Sequence, residues 1–96
     1  MAAWLYILAS QRNGTLYTGV TTDLRARLRQ HRDRLVPGFT SRYGVVLLVY
    51  AERHDLIAQA IQRERNIKHW SRRWKLDLIE SINPEWRDLG DDLHLL

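Results

Sequence analysis

The fold is decided by two short stretches, Trp4-Leu5-Tyr6-Ile7-Leu8 and Leu16-Tyr17-Thr18-Gly19-Val20. Both are rich in the aromatic and β-branched residues that favour strands. Asn13-Gly14 lies between them, and this dipeptide is the strongest short signal for a β-hairpin. We therefore expect an antiparallel hairpin in which the rings of Tyr6 and Tyr17 lie close together on one sheet face.

Two more elements follow the hairpin. Thr21-Thr22-Asp23 supplies capping side chains for a short basic helix that carries Leu24 and Leu28 on one stripe. Residues 37–44 are turn-rich and predict a loop. Residues 45–50 form an apolar run without alternation, which predicts a third strand that is buried on both faces.

Two helices complete the predicted order. Asp55 is expected to cap a helix with the apolar residues Ile57, Ala60, Ile61 and Ile67, and Ser71 a helix with Trp74, Leu78 and Ile79, which Asn83-Pro84 ends. The order ββαβαα predicts an α/β domain of the α+β type, with a small three-stranded, mainly antiparallel sheet flanked by helices. We expect one domain over residues 1–86 and an acidic tail over residues 87–96.

Length and composition limit the class of protein. The chain has 96 residues, of which 45% are hydrophobic, so one modest core is feasible. It has no cysteine, which excludes disulfides and thiolate metal sites and indicates a reducing cytoplasm. The first ten residues lack a basic leader, so no membrane association is expected. We expect a cytoplasmic monomer or weak dimer.

Charge is distributed unevenly along the chain. Residues 1–75 hold 14 Lys or Arg against 5 Asp or Glu, whereas residues 76–96 hold 1 against 6. Of the 15 basic residues 13 are Arg, whose planar fork suits bidentate phosphate contacts. A polyanionic partner and a solvated cationic surface both explain this pattern. If the partner is a nucleic acid, the candidate contacts are Arg12, Arg25, Arg29, Arg42, Arg63 and Lys68.

Arg27 and His31 share the inward stripe of the first helix with Leu24 and Leu28. A cation and an imidazole on an apolar stripe indicate a site, although an arginine that reaches solvent beside a hydrogen-bonded histidine explains them equally well. Two strand tyrosines are likewise common as ordinary sheet residues.

Glu64 is the sharpest anomaly, because it falls on the apolar stripe of its helix with Ala60 and Ile61. One explanation is a buried ion pair, with Arg27 or Lys68 as the partner. The other is a carboxylate ligand for a hard cation. The pattern alone leaves both open.

Taken in order, these residues resemble the GIY-YIG endonuclease superfamily, and in particular its small stand-alone bacterial members. Leu5-Tyr6-Ile7 stands where the first triplet of the family falls, and Tyr17-Thr18-Gly19 stands where the second falls. The match continues through Arg27, His31 and Glu64 and covers nearly the whole chain. The first triplet lacks its glycine, and the base-activating lysine of some relatives is not evident.

The resemblance implies a metal-dependent endonuclease that hydrolyses DNA with structure or weak sequence selectivity, in DNA repair or recombination. Its candidate catalytic residues would be Tyr6, Tyr17, Arg27, His31 and Glu64. By analogy, Glu64 would hold one Mg²⁺ or Mn²⁺, Arg27 would clamp a phosphate oxygen, and Tyr6 or Tyr17 would orient or deprotonate water with help from His31.

Two other functional classes fit the same sequence. One is a catalytically silent nucleic-acid-binding module of the same fold. The other is a protein-interaction module whose acidic tail engages a partner or the basic surface of the chain itself. RNA also stays open as the substrate.

Overall fold

The computed structural model describes residues 1–33, 38 and 42–90. In chain order its elements are β1 (Ala3–Ala9), β2 (Leu16–Thr21), α1 (Leu24–Arg32), β3 (Leu47–His54), α2 (Ile57–Lys68) and α3 (Arg72–Ile82). The three strands form one antiparallel sheet in the order β2-β1-β3. The predicted fold class and the element order ββαβαα are therefore confirmed.

The opening hairpin places the two tyrosines on one face. Tyr6 pairs with Gly19, and Leu8 pairs with Tyr17. Because residues directly opposite each other share a face and alternate residues return to it, Tyr6 and Tyr17 are diagonal neighbours. The connection spans residues 10–15, and Asn13 adopts the left-handed conformation with φ of 58°.

β1 is the strand that is buried on both faces. One face joins a core formed with α2 and α3, whose buried members include Leu5, Ile7, Ala9, Ile67, Ile79 and Trp86. The other face joins a second core formed with α1, whose buried members include Tyr6, Leu8, Leu24 and Leu28. The two faces of the sheet therefore separate α1 from the α2–α3 pair.

The predicted third strand needs correction at both ends. β3 begins at Leu47 and continues to His54, beyond the apolar run, and it is buried only over residues 48–50. It lies at the sheet edge, so its far half is half-buried or exposed. A register shift between Ile7 and Leu8 interrupts the pairing of β1 with β3. Continuous hydrophobicity therefore marked the centre of this strand but not its length.

Two of the three predicted caps are confirmed. Asp23 accepts a hydrogen bond from the Ala26 amide at 3.1 Å to begin α1, and Ser71 accepts one from the Trp74 amide at 3.3 Å to begin α3. The prediction for Asp55 is wrong. The capping position of α2 is Leu56, which has no side-chain cap, and Asp55 instead accepts a bond from the exposed Arg53.

The apolar faces of α2 and α3 are narrower than predicted. Ala60 and Ile67 are the buried residues of α2, whereas Ile57 is exposed. Ile79 is the buried residue of α3, whereas Trp74 is 61% exposed. The two α3 residues are five apart, which is about 140° around a helix, so they cannot face the same sheet.

Two predicted segments, the loop before β3 and the acidic tail, lie partly outside the residues that the structure describes. Residues 37 and 39–41 of the loop predicted over 37–44, and residues 91–96 of the acidic tail, lie outside the described residues. Before them, Asp88 accepts hydrogen bonds from Arg32 at 2.8 Å and from the Leu48 amide at 3.2 Å. The boundary after residue 86 stays a prediction. Every helix among the described residues is too short or too polar to cross a membrane.

Asn83 ends α3 and ties it to the sheet, which generates a prediction. Its buried amide donates to the Val49 and Arg87 carbonyls at 3.1 and 2.9 Å and accepts from the Arg87 amide. Asn83→Ala should lower the free energy of unfolding by about 2–3 kcal/mol, because it leaves buried backbone groups without partners. Urea denaturation measures this loss. Ser81→Ala removes one exposed hydroxyl bond and is the control; an equal effect of both changes would contradict the prediction.

Candidate active site

A cluster of three rings lies between the hairpin and α1. The centroids of Tyr6 and Tyr17 are 6.3 Å apart, and the ring of His31 lies 6.0 Å from the first and 5.6 Å from the second. The Tyr6 hydroxyl is 3.2 Å from Nε2 of His31. The sequence predicted that the tyrosines share a face and that His31 points inward, and the structure confirms both positions.

Tyr6 is held in its neutral, protonated form. The side chain is 2% exposed, and burial raises the pKa of its hydroxyl far above the ordinary value. Neighbouring Tyr17 raises this pKa further, Arg27 opposes the rise, and Glu64 adds to it. The charges of Arg27 and Glu64 therefore act on this hydroxyl in opposite directions.

His31 is held neutral by the same surroundings. The residue is 1% exposed, and burial lowers the pKa of its imidazole, as does the positive charge of Arg27. A neutral imidazole has one ring nitrogen free to accept a proton. When Nδ1 carries the proton, Nε2 accepts the hydrogen bond from the Tyr6 hydroxyl. The cluster therefore combines a buried phenol with a neutral imidazole whose Nε2 lies within hydrogen-bond distance of it.

Glu64 lies on α2, and its charge acts on the Tyr6 hydroxyl. Its side chain is 23% exposed, and its Oε2 lies 3.5 Å from Nζ of Lys68 one turn later. Lys68 is itself half exposed, so this is a surface ion pair of the weak i,i+4 kind. Of the two partners that the sequence suggested, the structure therefore selects Lys68. Such a pair leaves the carboxylate accessible to a ligand.

The Glu64 carboxylate is suited to a hard cation that the protein holds weakly. Among the described residues, no group of three or more His, Asp or Glu side chains could enclose a metal ion. Mg²⁺, however, retains several waters and commonly takes only one or two protein carboxylates together with substrate phosphate. Glu64 is a partly exposed carboxylate of this type, so its oxygens can serve as one ligand of such an ion.

A hydrogen-bond network, which we call the Glu52 network, fixes the helix that carries Glu64. Oε1 of Glu52 accepts a bond from Nε of Arg63 at 2.8 Å and lies 3.1 Å from Nε2 of His54. Oε2 accepts a bond from the Tyr50 hydroxyl at 2.6 Å. Arg63 directly precedes Glu64, so an anchor on this residue sets the face of α2 that Glu64 occupies.

The pKa values show that the Glu52 network is tightly coupled. Burial alone would raise the pKa of Glu52, but hydrogen bonds from Tyr50, Arg63 and His54 outweigh it and hold this pKa below its ordinary value. Burial and the bond to Glu52 raise the pKa of Tyr50 to about 12. The sequence analysis missed this network. The sequence signal for it was Tyr50 and Glu52 at alternate positions of one strand. The other part of the signal was Arg63, which directly precedes Glu64.

The six predicted nucleic-acid contacts are spread over four parts of the chain: the hairpin turn, α1, the segment before β3, and α2. Arg12 is on the hairpin turn, Arg25 and Arg29 are on the outer side of α1, and all three are exposed. Arg42, ahead of β3, and Lys68, at the end of α2, are exposed as well. Arg63 differs from the other five, because its guanidinium lies between Glu52 and the ring of Trp70, 5.1 Å from the ring centroid.

Gly19 makes room for the three-ring cluster, a role that the sequence analysis did not assign. A Cβ at this position would lie 2.6 Å from the Tyr6 hydroxyl oxygen, 2.7 Å from Cζ of Tyr6 and 3.1 Å from Cε2 of Tyr17. These distances are too short for unbonded carbon and oxygen atoms. Any side chain at position 19 must therefore displace the tyrosines.

Comparison with known proteins gives consistent matches. The family model described as "GIY-YIG catalytic domain" matches residues 2–77. A UPF0213 protein of Staphylococcus haemolyticus is 38% identical over 77 residues, which cover 80% of this chain and 93% of the relative. One from Staphylococcus saprophyticus is 37% identical over 76 residues, or 79% and 92% of the two chains. The solution NMR structure of a UPF0213 protein from Bacillus halodurans superimposes with a TM-score of 0.58 at 30% identity and covers 92% of this chain and 93% of that one.

The close approach at Gly19 generates a prediction. Gly19→Ala should cost about 1–3 kcal/mol of stability, because the added methyl forces Tyr6 and Tyr17 apart. As the cluster opens to water, the lowered pKa of His31 should move back up toward its ordinary value. NMR titration of the imidazole measures this change. Val20→Ala alters the opposite sheet face and should leave that pKa unchanged; the same titration curve for both variants would refute the explanation.

The Glu52 network predicts a pH-dependent loss of stability. Since the pKa of Glu52 is lower in the folded chain, the ionised group stabilises the fold above its unfolded pKa of about 4.3, and this contribution is lost at lower pH. Glu52→Gln should therefore cost about 1–2 kcal/mol at pH 7, a range that allows for partial solvent screening. Denaturation at several pH values should show the difference from the wild type narrowing below about pH 4. The exposed Glu85→Gln is the control, and a gap that does not depend on pH would contradict this assignment.

Proposed function

The chain belongs to the GIY-YIG catalytic-domain family, and on this premise we propose that it is a metal-dependent endonuclease that hydrolyses phosphodiester bonds in DNA. One observation carries the proposal. Tyr6, Tyr17 and His31 form one cluster, and the charges of Arg27 and Glu64 both act on its buried phenol. A phenol, an imidazole, a fixed cation and an accessible carboxylate are the groups that this hydrolysis needs.

Each side chain has a distinct part in the proposed reaction. Glu64 would hold one Mg²⁺ or Mn²⁺, which supplies a positive charge for the scissile phosphate and the leaving oxygen. Arg27 keeps its charge at every physiological pH, so its fork clamps a non-bridging phosphate oxygen and offsets charge that develops there. Burial and the nearby Arg27 guanidinium lower the pKa of the imidazole, so His31 stays neutral until the reaction delivers a proton to it.

The phenols and His31 handle the attacking water. Its oxygen forms a bond to phosphorus as the bond to the leaving oxygen breaks, and its proton passes to the tyrosine–histidine cluster. Tyr6 is protonated and bonded to His31, so it can relay this proton by giving its own to the imidazole. The half-buried Tyr17 borders the same cluster and orients the water from the side nearer to solvent.

The basic surface supports a nucleic acid as the substrate. Exposed Arg12, Arg25, Arg29 and Arg42 contribute sequence-independent phosphate contacts, and such contacts give binding that weakens with salt. We propose selection by DNA structure or weak sequence preference. Roles in repair or recombination, a cytoplasmic location and a monomeric or weakly dimeric state stay predictions from the sequence.

The test of the proposed function compares Glu64→Gln with the wild type. Labelled single-stranded, duplex, flap and branched DNA, with matching RNA, are incubated with Mg²⁺, Mn²⁺ or EDTA at low salt. Wild-type protein should cleave DNA only with metal. Glu64→Gln should lower the cleavage rate by about 10²–10³-fold, because it removes the proposed metal ligand but preserves side-chain size.

Binding measured on the same samples separates the alternatives. The exposed Glu85→Gln is the matched control and should cleave normally. Binding without cleavage by the wild type would instead establish the silent module. Neither binding nor cleavage would favour the protein-interaction module, and faster cleavage of RNA than of DNA would replace the proposed substrate.

A further inference from the structure

A pair of tryptophans lies where α2 passes into α3. The rings of Trp70 and Trp74 meet edge to face, with centroids 5.9 Å apart and an angle of 81° between the planes. Trp70 is half-buried, whereas Trp74 is 61% exposed. Together with part of α3 they line an open groove of about 300 Å³, whose other lining residues are Asp77, Leu78 and Ser81. Folding therefore leaves most of one indole available to a ligand.

The charge around this pair is strongly positive. Residues 63–75 hold six Lys or Arg against the single acid Glu64. Five of these cations are exposed or half-buried on the surface of the corner: Arg65, Lys68, Arg72, Arg73 and Lys75. Asp77, which lines the groove, is compensated by Arg73 at 3.3 Å. Charge complementarity therefore favours a polyanion whose uncharged part can cover an aromatic ring.

The tryptophan pair is connected to the candidate active site by direct contacts. Arg63 places its guanidinium over the Trp70 ring, and the next residue is Glu64. Lys68 contacts the Glu64 carboxylate and lies two residues before Trp70. A strand that leaves Glu64 along α2 therefore meets a cation first and then the aromatic pair.

The corner is also held firmly against the hairpin. Nη2 of Arg72 donates to the carbonyl oxygens of Asn13 and Gly14 at 2.6 and 2.8 Å. These bonds join the first turn of α3 to the turn between the two tyrosine strands. The helix that carries Trp74 is thus bonded directly to the hairpin that carries Tyr6 and Tyr17.

We infer that Trp74, supported by Trp70, is a stacking platform for an unpaired nucleobase of a strand whose phosphates follow Lys68 and Lys75. The inference rests on the proposed function only in taking a nucleic acid as the partner. Stacking on an exposed aromatic ring strengthens binding of a strand whatever the base, because every base has a π-face. Paired bases are already stacked, so the platform selects substrates that have a single-stranded segment.

The acidic end of this chain is a less suitable occupant. Asp88 pairs with Arg32, and Leu89 packs against the core on the α1 side of the sheet. Trp74 lies on α3, on the opposite side. Asp88 and Leu89 are therefore held on the side of the sheet opposite to the groove.

The test measures binding in EDTA, so it does not depend on cleavage. Fluorescence anisotropy records the affinity of the full chain for labelled 12-nucleotide thymidine and uridine strands and for a blunt duplex hairpin. Trp74→Leu should weaken binding of the single strands about tenfold, and Trp74→Phe should retain most of the affinity because it retains an aromatic ring. Both variants should bind the duplex within about twofold of the wild type, because its bases cannot reach the platform.

Ile82→Ala is the matched control, since Ile82 is 56% exposed on the same helix, eight residues further along. It should bind both ligands normally. Three outcomes would overturn the inference. Trp74→Leu could lose equal affinity for the single strand and the duplex, or lose affinity for neither. The wild type could also fail to bind the single strand. Light scattering that shows a dimer in the wild type but not in Trp74→Leu would assign the groove to a second copy instead.

Discussion

Burial of β1 on both faces is the constraint on which the rest of the structure depends. The strand pairs with β2 on one side and with β3 on the other, and its alternate residues serve two separate cores. One set of residues secures α2 and α3, while the other holds Tyr6 against α1. Both cores, and the positions of all three helices, therefore depend on the register of one strand of seven residues. A one-residue slip would exchange the two sets of side chains.

The candidate site is formed where these separately packed elements meet. The hairpin contributes two phenols, α1 an imidazole and a cation, and α2 a carboxylate. Each is held by contacts that serve the fold, because His31 is buried with Leu28 and the Glu52 network holds the residue before Glu64. The electrostatic result is a neutral phenol and a neutral imidazole between charges of opposite sign. Such an arrangement is costly to assemble in water and is available only after folding.

Much of this could be predicted from the sequence, because short-range signals were strong there. Asn13-Gly14 predicted the hairpin, and helical spacing placed His31 on the inner side of α1. Prediction failed where a side chain had more than one local partner or helix face open to it. Asp55 was expected to cap α2, but it bonds to Arg53, and Trp74 was expected in the core although its helix turns it outward. The role of Gly19 depends on two rings that lie across a strand pair, so no local pattern could reveal it.

The clamp from Arg72 to the hairpin turn has a consequence for how shape is recognised. Because the two carbonyl oxygens of the turn are bound to α3, the turn and the corner after α2 present a single preformed surface. A nucleic acid that docks there must supply the bending or fraying itself. Under the proposed function, substrates would then rank by the elastic energy of each nucleic acid, with nicks, junctions and flexible pyrimidine–purine steps ahead of stiff, continuous helices.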